Sequence, residues 1–236
     1  MSPLAVWLAG CAAQGPPQLS TASPSDNVAR SALADGAPEV ALNVTANILA
    51  THPADEQALL IRADAFAMLG RPQDADASYR QVLARDPGSD AALRGLGRLL
   101  LNSDPAAAEA LFQQAVARDP RDAAAFNNLG IARDMQGRHA DAQIAYREAL
   151  AVSPDMAAAT ANLALSLSLS GHAAEGLQLL KPLALPANAP SKLRYDYAAV
   201  ATMAGDRQEA AGALRNDLTP DKLRDALDGF AALAAP

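Results

Sequence analysis

The chain has 236 residues, half of them apolar but only 4% aromatic, and its 26 acidic and 19 basic side chains leave a formal charge of −7. That charge repels phosphate backbones, which excludes an electrostatic nucleic-acid binder. An Ala-rich, aromatic-poor composition favours closely packed helices over β-sheets, which draw on Val, Ile and aromatic residues. The single cysteine, Cys11, excludes an internal disulfide and a Cys-x-x-Cys pair, and it leaves the compartment open.

From Leu4 to Gly10 the chain is apolar and uncharged, far short of the roughly 20 residues a membrane-spanning helix needs. No other stretch combines that length with freedom from charge. A short apolar run ending in small residues has the design of an export signal, here residues 1–10. After Cys11 the sequence AAQGPPQLSTASPS is turn-forming and polar, so residues 11–24 read as a tether. Leu8-Ala9-Gly10-Cys11 resembles the lipobox of bacterial lipoproteins. The resemblance implies cleavage before Cys11 and acylation of its sulfur and new amino group. Each buried methylene would then contribute about 0.8 kcal/mol to membrane anchoring. Ala12 in place of Asp implies sorting to the outer membrane, on its periplasmic face. Secretory signals open on a positive segment, yet no Lys or Arg precedes Cys11. Either the signal begins upstream of Met1 or Cys11 is not lipidated.

The remainder repeats. Gly36 and Gly70 stand 34 residues apart, as do Gly137, Gly171 and Gly205. Pro53 and Pro87 keep the same spacing, and Pro120 comes one residue early, so the unit it closes has lost one residue in its first helix or turn. Self-similarity at this period marks an array of helical hairpins. The units fall near 22–55, 56–89, 90–122, 123–156, 157–190 and 191–224. In the fourth, Phe126, Leu129, Gly130 and Arg133 recur at helical spacing. Gly137 then ends the first helix, and a second helix from His139 to Val152 carries Ala142, Tyr146 and Ala149 on one stripe. Pro154 ends it. Asp90, Asp122 and Ser191 are candidate N-caps. In the last stretch, Thr219 caps, Pro220 opens the helix, and Leu223, Leu227 and Phe230 form its apolar stripe. Residues 219–236 thus read as a capping helix.

This pattern resembles the tetratricopeptide repeat (TPR), matched by Phe126, Leu129, Gly130, Gly137, Ala142, Tyr146, Ala149 and Pro154. Residues 56–89 and 90–122 also match, and the outer units are degenerate, as end units facing water are. The resemblance implies an all-α fold, a right-handed α-solenoid of about six hairpins closed by the capping helix.

No catalytic constellation emerges. His52, His139 and His172 are the only histidines, none at metal-ligand spacing, and His139 and His172 read as exposed helix starts. Gly95 and Gly97 lie within a helical pattern without the Lys-Ser/Thr of a phosphate loop, so they are helix-packing glycines. The chain reads as a non-enzyme that needs no cofactor and no metal. In the TPR family the first helix of each unit lines a concave surface. The resemblance then implies a partner-binding groove of Leu60, Asp64, Met68, Arg94, Arg98, Leu101, Asn127, Ile131, Asp134, Met135, Leu165, Leu169, Tyr195 and Met203. Met68, Met135, Leu169 and Met203 share one position of the repeat, an apolar row suited to a peptide or helix; the alternative is that some of them are core between units. Arg94 and Arg98 sit one turn apart, either to pin an acidic group or to form a solvated face.

The lipobox, tether and array together, with NNLGIARDMQGRHADAQIAYREAL, ANLALSLSLSGHAAEGLQLLKPLA and the weaker unit after them, resemble the TadD lipoproteins of tight adherence (Tad/Flp) pilus assembly over residues 127–227. That resemblance implies a scaffold at the outer membrane that assists a pilus or secretin complex. The alternatives are another periplasmic TPR adaptor, serving cell-wall enzymes or outer-membrane protein assembly, and a soluble TPR co-chaperone.

Overall fold

The computed structural model describes residues 23–233. Cys11 and the segment 1–10 lie outside the described residues, as does most of the tether. Thirteen helices and no strand are present among the described residues. Six hairpins follow one another: α1 (Pro24–Ala34) with α2 (Pro38–Thr51), α3 (Glu56–Met68) with α4 (Pro72–Leu83), α5 (Asp90–Leu100) with α6 (Pro105–Arg118), α7 (Ala123–Asp134) with α8 (His139–Val152), α9 (Ala157–Leu169) with α10 (Ala173–Ala184), and α11 (Ser191–Met203) with α12 (Arg207–Leu214). A last helix, α13 (Pro220–Leu233), packs on α11 and α12. Each helix packs on the next, which makes the chain an α-solenoid.

Local chemistry sets the helix ends. Ser23 and Pro24, which composition assigns to the tether, instead open α1. The Asp26 amide donates to the Ser23 hydroxyl, and the Ser23 amide donates to the Asp26 carboxylate, a capping box behind a proline at the first helical position. Asp122 caps α7 by accepting the Ala125 amide at 3.0 Å. Asp90 and Ser191 do not cap: each is the first residue of its helix, with Ser89 and Pro190 in the cap positions. The preference of acidic residues for the first helical turn accounts for Asp90 there as well as it would at the cap.

Five of the six hairpins turn through a glycine at positive φ: Gly36, Gly70, Gly137, Gly171 and Gly205. At Gly137 the Arg138 amide reaches back to the Arg133 carbonyl and the Gly137 amide to Asp134, the double bond that closes a helix when one residue turns left-handed. The third hairpin has no such residue. It lost its position in this turn: the Asp104 amide bonds the Leu100 carbonyl at 2.7 Å, and the Asp104 side chain then caps α6 through the Ala107 amide.

Within each hairpin one small residue of the first helix and one residue of the second stand 16 places apart, or 15 in the shortened unit. The pairs are Ala29 and Thr45, Ala63 and Tyr79, Gly97 and Phe112, Gly130 and Tyr146, Ala164 and Leu180, and Ala198 and Leu214. All are buried. A methyl group added at Gly97 would run into the Phe112 ring, and one at Gly130 into the Tyr146 ring. Gly95 holds the same relation to Tyr79 of the preceding hairpin. The first helix always carries Ala or Gly at this position, which leaves room for a partner that ranges from Thr45 to Tyr79.

This packing makes opposite predictions for two glycine substitutions. Helix propensity alone would make alanine better than glycine by up to about 1 kcal/mol in either helix. Gly229→Ala, where nothing lies within 4 Å of the added carbon, should raise the melting temperature. Gly130→Ala should lower stability by about 1–2 kcal/mol, because overpacking outweighs propensity. Thermal denaturation of the two variants checks both signs.

Candidate partner-binding groove

First helices of successive hairpins touch directly, α1 on α3, α3 on α5, α5 on α7, α7 on α9 and α9 on α11, while second helices do not pack comparably on one another. A stack pinched on one side and splayed on the other curves toward the pinched side. The first helices therefore line the inner surface.

On that surface the repeated apolar position stays open. Met68 is 53% exposed, Met135 44% and Leu169 39%, while Met203 and Leu101 are half-buried. Ile131, Leu165 and Tyr195 are half-buried too, with Ile131 packed against the Tyr146 cluster and Tyr195 against that of Leu214. Two expected groove residues belong to the interior. Leu60 is buried in the core beside Tyr79. Asn127 is buried and accepts a hydrogen bond from Asn162 at 2.9 Å. Both sit one helical turn before the repeat's small residue, where neighbouring first helices meet, so burial claims them.

The charged residues of the groove already have partners within the chain. Asp64 accepts the Tyr79 hydroxyl at 2.5 Å and has Arg98 at 3.6 Å. Burial, then the Asp64 charge and hydrogen bond, push the Tyr79 phenol well above its ordinary value. Arg94 pairs with Asp122 at 2.9 Å, so Arg94 and Arg98 do not converge on one acid. Asp134 accepts hydroxyls from Tyr146 at 2.9 Å and Ser166 at 2.7 Å, and His139 Nδ1 lies 2.8 Å away. The Tyr146 phenol is pushed up by burial and the same carboxylate. His139 is thus a half-buried member of a joint between hairpins rather than an exposed helix start. Among the described residues no group of His, Cys, Asp and Glu is arranged to hold a metal ion, and no helix is long and apolar enough to cross a membrane.

One network has no counterpart in the sequence reading. Glu109 of α6 is 8% exposed and accepts from Arg133 at 3.0 Å, Gln136 at 3.0 Å, Gln113 at 3.1 Å and Arg138. It fastens the third hairpin to the fourth. Burial alone would raise its carboxyl, but the hydrogen bonds from Arg133 and Gln136 and the charges of Arg138 and Arg133 outweigh it and hold the group below the ordinary carboxylate range. Gln143, 34 residues after Glu109, donates to Ser170, 34 after Gln136, at 2.9 Å. The same link therefore recurs, uncharged, at the next joint, and its constant spacing is the signal that could have revealed it. Arg194 and Asp217 close the last hairpin through two bonds of 2.6 Å.

A cleft of about 710 Å³ opens on the inner surface between α1, α3 and α5, with Arg30, Leu33, Asp64, Met68, Arg98 and Leu99 on its walls. A second hollow of about 490 Å³, by the start of α1 and the end of α2, lies away from this row.

An inner surface of this kind, carried on stacked helical hairpins, defines a helical-repeat interaction scaffold. The tetratricopeptide repeat model matches residues 29–89, 69–103 and 99–157, more than half the chain, and the chain belongs to that family. Members of the family bind proteins or peptides. No curated protein matches the chain. Among solved structures, PilW, a widely conserved type IV pilus biogenesis factor, is 23% identical with a TM-score of 0.77, over 86% of this chain and 96% of that one. Pseudomonas aeruginosa pilF is 19% identical with a TM-score of 0.71, over 87% of this chain and 96% of that one. MamA is 24% identical with a TM-score of 0.57, over 65% of this chain and 91% of that one. At these identities the likeness is one of fold.

The Glu109 joint predicts a pH dependence. A carboxyl whose folded value is depressed stabilises the fold fully above its unfolded value, about 4.3, and loses that contribution as pH falls through the folded value. Glu109→Gln should therefore be less stable at pH 7 by about 1–2 kcal/mol, a figure reduced by solvent screening of the partly exposed Arg138. The deficit should shrink as pH falls below about 4. Urea denaturation across pH 3–7 reads it, and a deficit independent of pH would contradict the assignment.

Proposed function

We propose that the chain is a non-enzymatic scaffold that holds a protein segment in the groove of its first helices. The observation that carries this is the row Met68, Met135 and Leu169, large apolar side chains left open at one repeat position, while the carboxylates beside them, Asp64 and Asp134, are engaged within the chain. Methionine-bearing apolar surfaces adapt to helices and extended peptides.

The finer reading is an outer-membrane lipoprotein, anchored on the periplasmic side through Cys11, that assists assembly of a Tad/Flp-type pilus or secretin complex. It is supported by the lipobox resemblance and the TadD-like pattern of residues 127–227. The fold likeness to PilW, a type IV pilus biogenesis factor, and to pilF agrees with it. Wild type should incorporate radiolabelled palmitate and fractionate with membranes, and Cys11→Ser should do neither; unchanged labelling would remove the anchor. A pull-down from detergent-solubilised membranes should recover pilus or secretin components with wild type and lose them with Met135→Glu, Leu169→Glu, provided the variant keeps its helical circular dichroism. Recovery of unrelated envelope proteins would leave the scaffold and sink the pilus assignment.

A further inference from the structure

The groove is not electrostatically uniform. Its two ends differ in a way that specifies the ligand, given the reading of the inner surface as a binding site. The cleft between α1, α3 and α5 is lined by two cations, Arg30 and Arg98, and one carboxylate, Asp64. Asp64 is committed elsewhere in part, since it accepts the Tyr79 hydroxyl at 2.5 Å. Arg98 lies 3.6 Å from it with half its side chain in solvent. Arg30 forms no ion pair among the described residues, and its guanidinium donates to the neutral Gln57 amide at 2.8 Å. Leu33, Met68 and Leu99 supply apolar wall beside these cations. A locally cationic cleft has thus formed in a protein of net charge −7.

Farther along, the charges of the first helices are paired within the chain: Arg133 with Glu109, Lys192 with Asp196 and Arg194 with Asp217. Met135, Leu165, Leu169 and Met203 follow one another. The amides of Asn127 and Asn162 pair with each other, and the Asp134 carboxylate is filled by Tyr146, Ser166 and His139. The fifth unit, 157–190, carries only Glu175 and Lys181, both on α10 and both exposed, so its first helix adds no charge to the groove.

We infer that the groove takes a protein segment of bipartite chemistry: Asp or Glu side chains beside a bulky apolar residue, seated between α1, α3 and α5, continuous with an uncharged apolar stretch along α7, α9 and α11. A guanidinium with free donors beside apolar wall favours a carboxylate that arrives attached to an apolar neighbour. A segment charged along its whole length would leave its other carboxylates desolvated against Met135 and Leu169, which is unfavourable. The apolar row runs on from the cationic cleft, so the acids lie within reach of the segment's apolar residues. Charge complementarity at the cleft sets register and rate of association, and the apolar row supplies most of the affinity.

The test is selection of random 16-residue peptides displayed on phage against the full chain, followed by binding of the synthesised winners. Wild type should enrich peptides with Asp or Glu next to Leu, Phe or Met and a neutral apolar remainder. Arg30→Glu, Arg98→Glu should weaken those peptides at least about tenfold and favour basic ones, with Arg30→Gln, Arg98→Gln intermediate. Both Arg side chains are exposed, so unchanged thermal denaturation separates a lost contact from a lost fold. Winners that are neutral or basic, or whose affinity ignores the arginine variants while Met135→Glu, Leu169→Glu abolishes it, would overturn the bipartite ligand and leave the groove standing. If nothing is enriched, or binding survives both sets of variants, the inference and the proposed groove fall together.

Discussion

Everything in this molecule depends on how closely two helices can approach inside a hairpin. Gly130 lies against the Tyr146 ring and Gly97 against that of Phe112, with no room for a methyl group. A helix held that near its partner buries the ring whole, a contribution of about 1.5–3 kcal/mol for each large side chain. One hairpin still exposes an apolar face, so it needs the next. Gly95 against Tyr79 repeats the contact between neighbours. Five joints between hairpins put the first helices side by side and give the array an inner surface.

Much of this was legible because it is local. A glycine that must turn left-handed, a proline that cannot continue a helix, and a small residue facing a large one recur at fixed spacing, and backbone stereochemistry allows few alternatives. The second helix from His139 to Val152 stands as the sequence implied. The cap positions were less clear, since Asp90 serves a first turn as well as a cap, and Ser23 and Pro24 look like tether until the Asp26 amide shows what Ser23 does. The third hairpin's turn was legible only as a missing residue; that Asp104 replaces the glycine turn is a matter of three dimensions.

The groove was legible in outline and not in detail. Repeat position places a residue on the inner helix but does not say whether the next helix covers it. Met68 and Met135 stay open, while Leu60 and Asn127, on the same helices, are covered. Nor did the sequence show that its charges would be engaged. Glu109 meets Arg133 and Arg138 across 24 and 29 residues, separations with no periodic signature of their own. Such joints explain how an acidic chain can present an uncharged strip: Asp134 and Glu109 hold hairpins together, and the open apolar row remains beside them. Removing one partner of a buried ionic group is strongly unfavourable, so these joints also fix register between hairpins.

If the groove is the binding site, the inner helices, and not the outer ones, meet the partner. The most direct measurement is in-cell photo-crosslinking with a benzophenone amino acid placed singly at Met135 and at Ile144. Ile144 is equally apolar and, at 55%, no less exposed, but it lies on α8, a second helix. Position 135 should give discrete adducts, lost when Leu169→Glu is added, and position 144 should give none. Adducts from position 144 with none from 135 would place the partner on the outer surface and contradict that reading.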